Sequence, residues 1–339
     1  GATGSLTVAG ASLSDTASVS LAGTMTLTGS ERVGSLSGGG TVSLGANTLI
    51  TGDAGNDTFS GTISGTGGLT KEGNGVFTLT GTNTYTGLTT VNAGTLAIGG
   101  TGSLAGAASV ANGATLTNAA GGTTGSVTVN TGGTFTNSGT SGAVTNNGTF
   151  TNNGTVAGVT SNGGTFTNNA TAASLNIGAG TTTNNGTVTG AVTVGGGTVS
   201  NTRTISGATT INGGTFSTTG TAGHLTNNAA IANLAGTIGA YIGNINSTAT
   251  VTGNLNSGGN AVTLNGTTQL TVNGGNHTNI GALTNNSTAA AGVSVNAGRT
   301  VTATDLNTGA GSTIVVDGTL NATNNASNSG TINVNAGGK

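Results

Sequence analysis

A repeat of near-constant length constrains this chain more than any other feature of its sequence. One mostly apolar position recurs just after a Gly-rich turn, at spacings of about 15 to 19 residues, which is the signature of a repeat architecture. A second apolar position recurs once in each repeat from Val110 to Ile211, and a third apolar position includes Val156 and Ile205. Three short strands per repeat predict a parallel β-helix in which each repeat forms one coil. The residues at the first position are Leu116, Phe135, Phe150, Phe166, Thr182, Val199 and Phe216.

An asparagine follows this first position by two residues in six successive repeats. Residues i and i+2 of a strand share a face, so the asparagines should stack in a column of their own. Stacked amides can hydrogen-bond along the axis of a β-structure. The sequence therefore predicts an asparagine ladder, inside the coil or at a turn edge, with the phenylalanines stacked beside it. A register slip of one residue would reverse inside and outside. The ladder residues are Asn118, Asn137, Asn152, Asn168, Asn184 and Asn201.

The composition supports an all-β fold. The chain has 68 Gly, no Pro and only 4% charged residues. Its apolar residues alternate with Thr, Ser and Asn, which is a strand pattern, and no window has the 3.6-residue period of a helix. β-Sandwiches and β-barrels do not require the same residue type at one position of many successive repeats, and a propeller blade needs about 40 residues. These folds therefore fit the sequence less well than a β-helix does. We predict a right-handed parallel β-helix, with about 15–21 residues and three short strands per coil.

We expect residues 1–339 to form a single β-helix in four parts. The pattern is least regular between residues 222 and 250. Because Gly1 is not an initiator Met, and no signal peptide or capping segment is visible, we expect a mature or excised segment. The four parts are N-terminal coils at 1–66, a distinct repeat at 67–98, regular Asn/Phe-ladder coils at 110–220, and less regular C-terminal coils at 221–339.

The stretch at residues 67–98 carries a family resemblance. It reads GGLTKEGNGVFTLTGTNTYTGLTTVNAGTLAI. The order Gly-Gly-Leu-Thr-Lys, a Gly-rich turn, Phe-Thr-Leu-Thr-Gly, then Asn83 to Gly87 and Thr89 to Leu96, resembles the passenger-associated repeat of bacterial autotransporters. The resemblance covers this stretch and its lead-in from Asn56. It implies a non-enzymatic passenger that is exported through an outer-membrane barrel and serves as a stalk or adhesin at the outer cell surface or in the extracellular space.

Charge and hydropathy exclude several other classes of function. The formal net charge is −2 with five Lys and Arg, which removes the electrostatic basis for binding nucleic acid. No apolar run reaches the roughly 18 residues of a membrane-spanning helix. Without Cys there are no disulfides and no thiolate metal sites. We expect no cofactor, and we expect partners recognised by shape: surface glycans, other cells or further copies of the chain.

Two other functions stay open. Uncapped ends, the lack of proline and the asparagine ladder favour a structural subunit that stacks end to end into a surface filament or sheath. A carbohydrate-active enzyme would need two carboxyl groups within roughly 5 to 10 Å of each other. The sequence offers no such cluster with a basic partner, so we predict no catalytic residues and no enzyme. The acids and histidines are Asp15, Glu31, Asp53, Asp57, Glu72, Asp305, Asp317, His224 and His277.

One motif is similar to a metal site. Residues 52–59 resemble a single copy of a calcium-binding nonapeptide, in which Asp53 and Asp57 would supply oxygen ligands. Such sites are built between consecutive copies, because one turn supplies only half of the ligands. An ordinary turn explains the same residues, so calcium is the alternative and the turn is preferred.

Further polar side chains are expected to face water or to lie at turns. Lys71 and Glu72 are predicted to mark a solvated turn, where an exposed pair contributes at most about 1 kcal/mol. His224 and His277 have no second ligand at metal spacing. Tyr85 is predicted to pack against the coil with its hydroxyl group exposed.

Overall fold

The computed structural model describes residues 4–244 and 246–339. Residues 1–3 and Ile245 belong to the predicted β-helix but lie outside the described residues. Every regular element in the described residues is a β-strand, and the strands pair in parallel. The predicted all-β solenoid is therefore confirmed. The chain divides into two compact units, unit 1 at Gly1–Ala172 and unit 2 at Ala173–Lys339.

Strand alternation decides which side chains enter the coil. In Thr115–Asn118 the two threonines face outward and half-exposed, while Leu116 and Asn118 are buried. The same pattern holds in Thr134–Asn137. Successive side chains of a strand point to opposite faces, and β-branched threonine suits the pleated outer surface. The alternation of residues along each strand therefore determines which side chains lie inside these coils.

Unit 1 stacks its strands in three parallel columns. The first contains Ser18–Leu21, Ser35–Gly38, Asp57–Phe59, Val76–Leu79, Thr95–Ile98, Thr115–Asn118, Thr134–Asn137 and Thr149–Asn152; the second contains Glu31–Val33, Leu49–Thr51, Leu69–Lys71, Thr89–Val91, Ala108–Val110 and Val127–Val129. The third contains Ser5–Ala9, Thr24–Gly29, Thr41–Ser43, Thr62–Ser64, Ser103–Leu104, Thr123–Thr124 and Thr171–Ala172. Two longer strands run through more than one column, Thr140–Asn146 and Thr155–Asn168.

Unit 2, taken by itself, also stacks its strands in three parallel columns, which we number in the same order. The first contains Thr198–Asn201, Thr215–Thr218, Gln269–Val272, Val293–Val295, Thr313–Val316 and Thr331–Val334; the second contains Val192–Val194, Thr209–Ile211, Leu225–Asn227, Tyr241–Gly243 and Val262–Leu264. The third contains Thr187–Val188, Thr204–Ile205 and Thr221–Ala222. Strands that pass through two columns are Leu175–Asn184, Ile231–Ile238, Thr248–Asn256, His277–Asn285, Thr300–Thr308 and Thr319–Asn328.

The register sets the length of each coil. Asn137 pairs with Asn152, 15 residues later, and Asn118 pairs with Asn137, 19 residues later. Longer offsets occur in unit 2, where Leu270 pairs with Val293. A longer coil keeps the strand register and places its extra residues in the turns.

The irregular stretch at 222–250 continues the stack. Phe216 pairs with Ala232, and Ala232 pairs with Ala249, so small side chains take the inward place that an aromatic ring holds one coil earlier. Tyr241 enters the second column opposite Leu225 and is buried. The repeat is hard to recognise in the sequence because the size of the inward residue changes from coil to coil and because the register shifts between Leu234 and Gly236.

Glycine is required where turns of adjacent coils touch. A Cβ atom at Gly75 would lie 1.7 Å from the carbonyl oxygen of Gly55 in the preceding coil. Real side chains cannot come so close to a backbone oxygen. Stacked turns of this kind explain why the chain is so rich in glycine.

Candidate functional site

The asparagine column forms a hydrogen-bonded ladder inside unit 1. Asn118 Nδ2 donates to Asn137 Oδ1 at 2.7 Å, Asn137 Nδ2 donates to Asn152 Oδ1 at 2.9 Å, and Asn152 Nδ2 donates to Asn168 Oδ1 at 2.8 Å. All four side chains are buried. Of the two placements that the sequence left open, the inward one is correct. The amides can be buried here because each Nδ2 group finds an acceptor on the next coil along the chain.

Unit 2 holds a shorter ladder of the same kind. Asn184 Nδ2 donates to Asn201 Oδ1 at 2.7 Å. Asn201 Nδ2 then donates to Thr218 Oγ1 at 3.0 Å, where threonine replaces asparagine in the column. Asn227 occupies the second column and donates to the Tyr241 hydroxyl oxygen at 3.2 Å. Burial raises the pKa of Tyr241 to about 12, against the opposing effect of this bond.

The phenylalanines stack beside the ladder in unit 1. The ring centroids of Phe135 and Phe150 are 5.0 Å apart with planes 7° apart, and those of Phe150 and Phe166 are 5.0 Å apart with planes 15° apart. This spacing matches the distance between neighbouring strands, which is about 4.8 Å. The stacked rings therefore follow the spacing of the coils. Leu116, Val199 and Phe216, the other apolar members predicted for this column, are also buried.

Lys71 lies inside the coil, and the predicted solvated turn is wrong for this residue. It takes the inward place held by Thr51 in the coil before and by Val91 in the coil after. Its Nζ atom donates to the carbonyl oxygens of Glu72, Gly73 and Ala93. Desolvation lowers the pKa of Lys71, while the nearby charges of Asp53 and Asp57 oppose that change. The amine thus joins two turns that belong to consecutive coils.

Asn83 joins three consecutive coils. Its Oδ1 accepts the backbone N–H of Ile63 at 3.0 Å, and its Nδ2 donates to the carbonyl oxygens of Gly81 and Ser103, each at 3.0 Å. No regular third-column strand runs through this coil, where Thr82 makes only an isolated bridge to Ser103. The buried amide of Asn83 therefore substitutes for strand pairing.

Tyr85 is fully buried, and the predicted exposure of its hydroxyl group is wrong. The hydroxyl oxygen lies 2.6 Å from Thr89 Oγ1, which is also buried. Burial raises the pKa of Tyr85, and the hydrogen bond to Thr89 opposes that rise only in part. The ring is buried inside the coil, where Thr89 offers the hydroxyl group a polar partner.

The residues just described lie in one stretch of chain that can be compared with known families. Residues 69–98 match the family model of the Passenger-associated-transport-repeat. This confirms the resemblance predicted from the sequence. Lys71, Asn83, Tyr85 and Thr89 are thus buried polar residues within the matched stretch. No curated protein and no solved structure matched the chain.

The candidate calcium residues flank the transport repeat. Asp53 is exposed and its Oδ1 accepts the N–H of Gly55 at 2.6 Å, as in an ordinary turn. Desolvation, followed by the charge of Asp53, raises the pKa of Asp57, and Lys71 opposes that rise. A basic group is therefore near this pair, contrary to the expectation from sequence. Calcium binding stays a prediction; the described residues contain no group of three or more metal-ligating side chains.

The other carboxylates serve the local structure. Glu31 is buried and accepts the backbone N–H groups of Ser12 and Leu13 at 3.0 and 3.2 Å. Glu72 forms an ion pair with Arg32, and Arg32 Nε lies 3.9 Å from Asp15. In unit 2, Asp305 accepts from Asn324 and Asn325, and Asp317 accepts from Asn335.

His277 is buried in unit 2, so its predicted solvent-facing position is wrong. Its Nε2 lies 2.7 Å from Ser257 Oγ, and its Nδ1 has no hydrogen-bond partner among the described residues. Burial lowers the pKa of His277 to about 4. His224, by contrast, is exposed, and its Nδ1 accepts the N–H of Ala240 at 2.9 Å.

A shallow groove runs along the turns of unit 1. Its volume is about 530 Å³, and asparagines of successive coils line it with Ala111, Thr131 and Gly163. The lining contains amides and backbone but no charged group. No membrane-spanning helix was found in the part of the chain that the structure describes. The asparagines are Asn112, Asn130, Asn147 and Asn162.

Proposed function

We propose that this chain is a structural, non-enzymatic part of a secreted bacterial surface protein, namely a stalk or adhesin-like passenger of an autotransporter. The main support is the position of the transport repeat within unit 1. Its strand Leu69–Lys71 pairs in register with Leu49–Thr51 before it and Thr89–Val91 after it. The repeat is thus an integral coil of the solenoid rather than an appended module.

The physical properties of a solenoid suit such a role. Each coil contacts only its neighbours, so folding can propagate from one coil to the next, and each coil adds about 4.8 Å of length. The chain has no Cys, so no disulfide has to form or break during export. The buried ladders stiffen the stack because every amide is bonded to the adjacent coil.

Surface display tests the passenger proposal. The full chain is placed between a secretion signal and an autotransporter barrel in a bacterium, and its exposure is measured by external protease and antibody. We expect surface exposure for the unchanged chain and a marked loss for Lys71→Glu, which would bury a carboxylate among carbonyl oxygens. Arg203→Glu is the matched control, because Arg203 is exposed. Retention of the unchanged chain in the periplasm, with the barrel inserted, would contradict the proposal.

Neutral surface glycans are the partner that we propose for adhesion. The groove of unit 1 offers side-chain amides from successive coils, which can donate to and accept from sugar hydroxyl groups. Binding to a glycan array should fall for the double variant Asn112→Ala/Asn147→Ala. It should persist for Thr123→Ala/Thr140→Ala on the third column. Equal binding by both variants would place the adhesive surface elsewhere.

End-to-end assembly into a surface filament or sheath is the second proposal. Contacts between unlike strand edges repeat without closing and so generate open fibres. Electron microscopy over a dilution series of the full chain tests it. Fibres that lengthen with concentration would support assembly, whereas discrete particles at every concentration would contradict it.

The non-enzymatic part of the proposal has its own test. Purified chain is incubated with polysaccharides, and released reducing ends are measured. We expect no release above the rate for buffer alone. Release that Asp53→Asn/Asp57→Asn abolishes would instead establish a carbohydrate-active enzyme.

A further inference from the structure

Eight threonines form a two-dimensional array on the outer face of unit 1. Each of four consecutive first-column strand segments presents two of them, separated by one inward residue, in the sequence Thr-x-Thr-Asn. Parallel pairing in register places each threonine beside its counterpart on the next coil. The array therefore consists of two straight ranks with four hydroxyl groups each. Its members are Thr115, Thr117, Thr134, Thr136, Thr149, Thr151, Thr165 and Thr167.

The backbone fixes both spacings of the array. Along each rank, neighbours are one strand apart, about 4.8 Å, and across the ranks they are two residues apart, about 6.6 Å. The phenylalanine stack directly behind the array repeats every 5.0 Å with nearly parallel rings, so the sheet there is regular. The result is a rectangular lattice of identical groups.

The chemistry of the array suits a neutral ligand that both donates and accepts hydrogen bonds. All eight side chains are exposed or half-exposed. Within the described part of the chain, none of their hydroxyl groups has a hydrogen-bond partner in the protein, so each is free to bond outward. The four strand segments contain no charged residue. Each threonine also presents a methyl group, which gives the face an apolar component of the same periodicity.

The array is also held rigid before any ligand arrives. Threonine is β-branched and restricted at χ1. The residues between and after the threonines, Phe135 and Asn137 for example, are locked in the stack and in the ladder. A preorganised face loses little conformational entropy on binding.

We infer that this threonine array binds the surface of ice. Faces of hexagonal ice repeat their oxygen atoms in two perpendicular directions at spacings comparable with those of the array, are uncharged, and both donate and accept hydrogen bonds. The second column, by comparison, lacks the second rank, because it presents one threonine per coil, at Thr128, Thr145 and Thr160. The first column thus matches a lattice in two directions, which the second does not. This function goes beyond that of the proposed surface passenger, and it would attach the bacterial cell that displays the chain to ice.

The test uses the purified full chain and needs no export. Thermal hysteresis, the shape of growing ice crystals and partition of the chain into a slowly growing ice hemisphere are measured. The variant Thr136→Tyr/Thr151→Tyr places two rings in the middle of the array, where the two residues pair directly. The control Thr128→Tyr/Thr145→Tyr makes the same change on the same coils in the second column.

We expect the unchanged chain and the control to shape ice crystals and to enter the ice. The array variant should lose most of its thermal hysteresis and should be excluded from the growing ice. A third variant, Thr136→Ser/Thr151→Ser, keeps the hydroxyl groups and removes the methyl groups. It tests the inference even if the tyrosine variant does not fold, and it should also lose hysteresis activity. No hysteresis and no partition by the unchanged chain, or equal activity in the array variants and the control, would overturn the inference.

Discussion

Asn137 Nδ2 donates to Asn152 Oδ1 over 2.9 Å, although 15 residues of chain separate the two side chains. The same Nδ2 group donates to the carbonyl oxygens of Gly139 and Thr155. One side chain therefore joins its own turn to the next coil in both side-chain and backbone contacts. Because the amide is buried, losing it leaves its neighbours without partners in a medium that cannot replace them.

Asn137→Ala should lower the stability of unit 1 by about 1–3 kcal/mol, since it orphans buried polar groups. Chemical denaturation followed by circular dichroism measures the change. Asn112→Ala is the matched control, because Asn112 is exposed at a turn of the same unit, and it should stay within about 0.5 kcal/mol. Equal stability of the two variants would show that the ladder is not a source of stability.

Lys71→Ala should destabilise the chain more than the removal of any exposed cation. The substitution removes the packed aliphatic stem and leaves three carbonyl oxygens without their Nζ donor. We expect a loss of about 2–5 kcal/mol, as for other large buried side chains. Arg203→Ala, at an exposed site, should have little effect. If Lys71→Ala unfolds at the denaturant concentration of the unchanged chain, the amine is not a structural link.

The buried His277 should make unit 2 sensitive to acid. Its folded-state pKa of about 4 lies below the ordinary value of 6.5, so the unfolded chain binds the proton more tightly. Stability should therefore fall as pH drops from 6.5 to 4, by about 3 kcal/mol at the limit, since each unit of pKa corresponds to about 1.36 kcal/mol.

The pH dependence of denaturation midpoints in His277→Gln tests this effect. The variant should lose the part of the decline that lies between pH 6.5 and 4. His224→Gln, which changes an exposed histidine, should retain it. An unchanged pH profile in His277→Gln would mean that other groups cause the acid sensitivity.

Tyr85→Phe should weaken the transport repeat by about 1–2 kcal/mol. The ring still fills the interior, but the buried hydroxyl group of Thr89 loses its partner. The double variant Tyr85→Phe/Thr89→Val provides the check, because it removes both polar atoms and should recover part of the loss. A double variant that is less stable than the single one would assign the loss to packing instead.

Much of the fold and of the ladders could be predicted from the sequence. The coils, the columns and the stacked asparagines follow from two local properties: the alternation of side chains along a strand, with a period of two residues, and the near-constant repeat length. Phe135, Phe150 and Phe166 illustrate this, because one register places all three on the interior face. The transport repeat was found through consecutive sequence identities, which do not depend on the structure.

The buried polar residues were decided by tertiary structure. Strand alternation places Lys71 on the inward face, but its burial depends on the carbonyl oxygen of Ala93, which the following coil supplies 22 residues later. For Tyr85 the polar partner inside the coil is Thr89, only four residues later, but the contact between the two hydroxyl groups is a feature of the folded coil and not of the sequence pattern. A charged or hydroxyl-bearing side chain is normally assigned to the surface, because its burial is unfavourable until partners from neighbouring coils are known.

His277 and the threonine array show the two limits of sequence-based prediction. A register shift between His277 and Ile280 breaks the alternation from which the inward position of His277 could have been inferred. The threonines are visible in the sequence as Thr-x-Thr, but their alignment into a lattice is a property of strand pairing between coils. For the threonines, the sequence alone determined the outward face through strand alternation. Only the stacking of coils determined the distances between them, because those distances are set by hydrogen bonds between strands that are far apart in the chain.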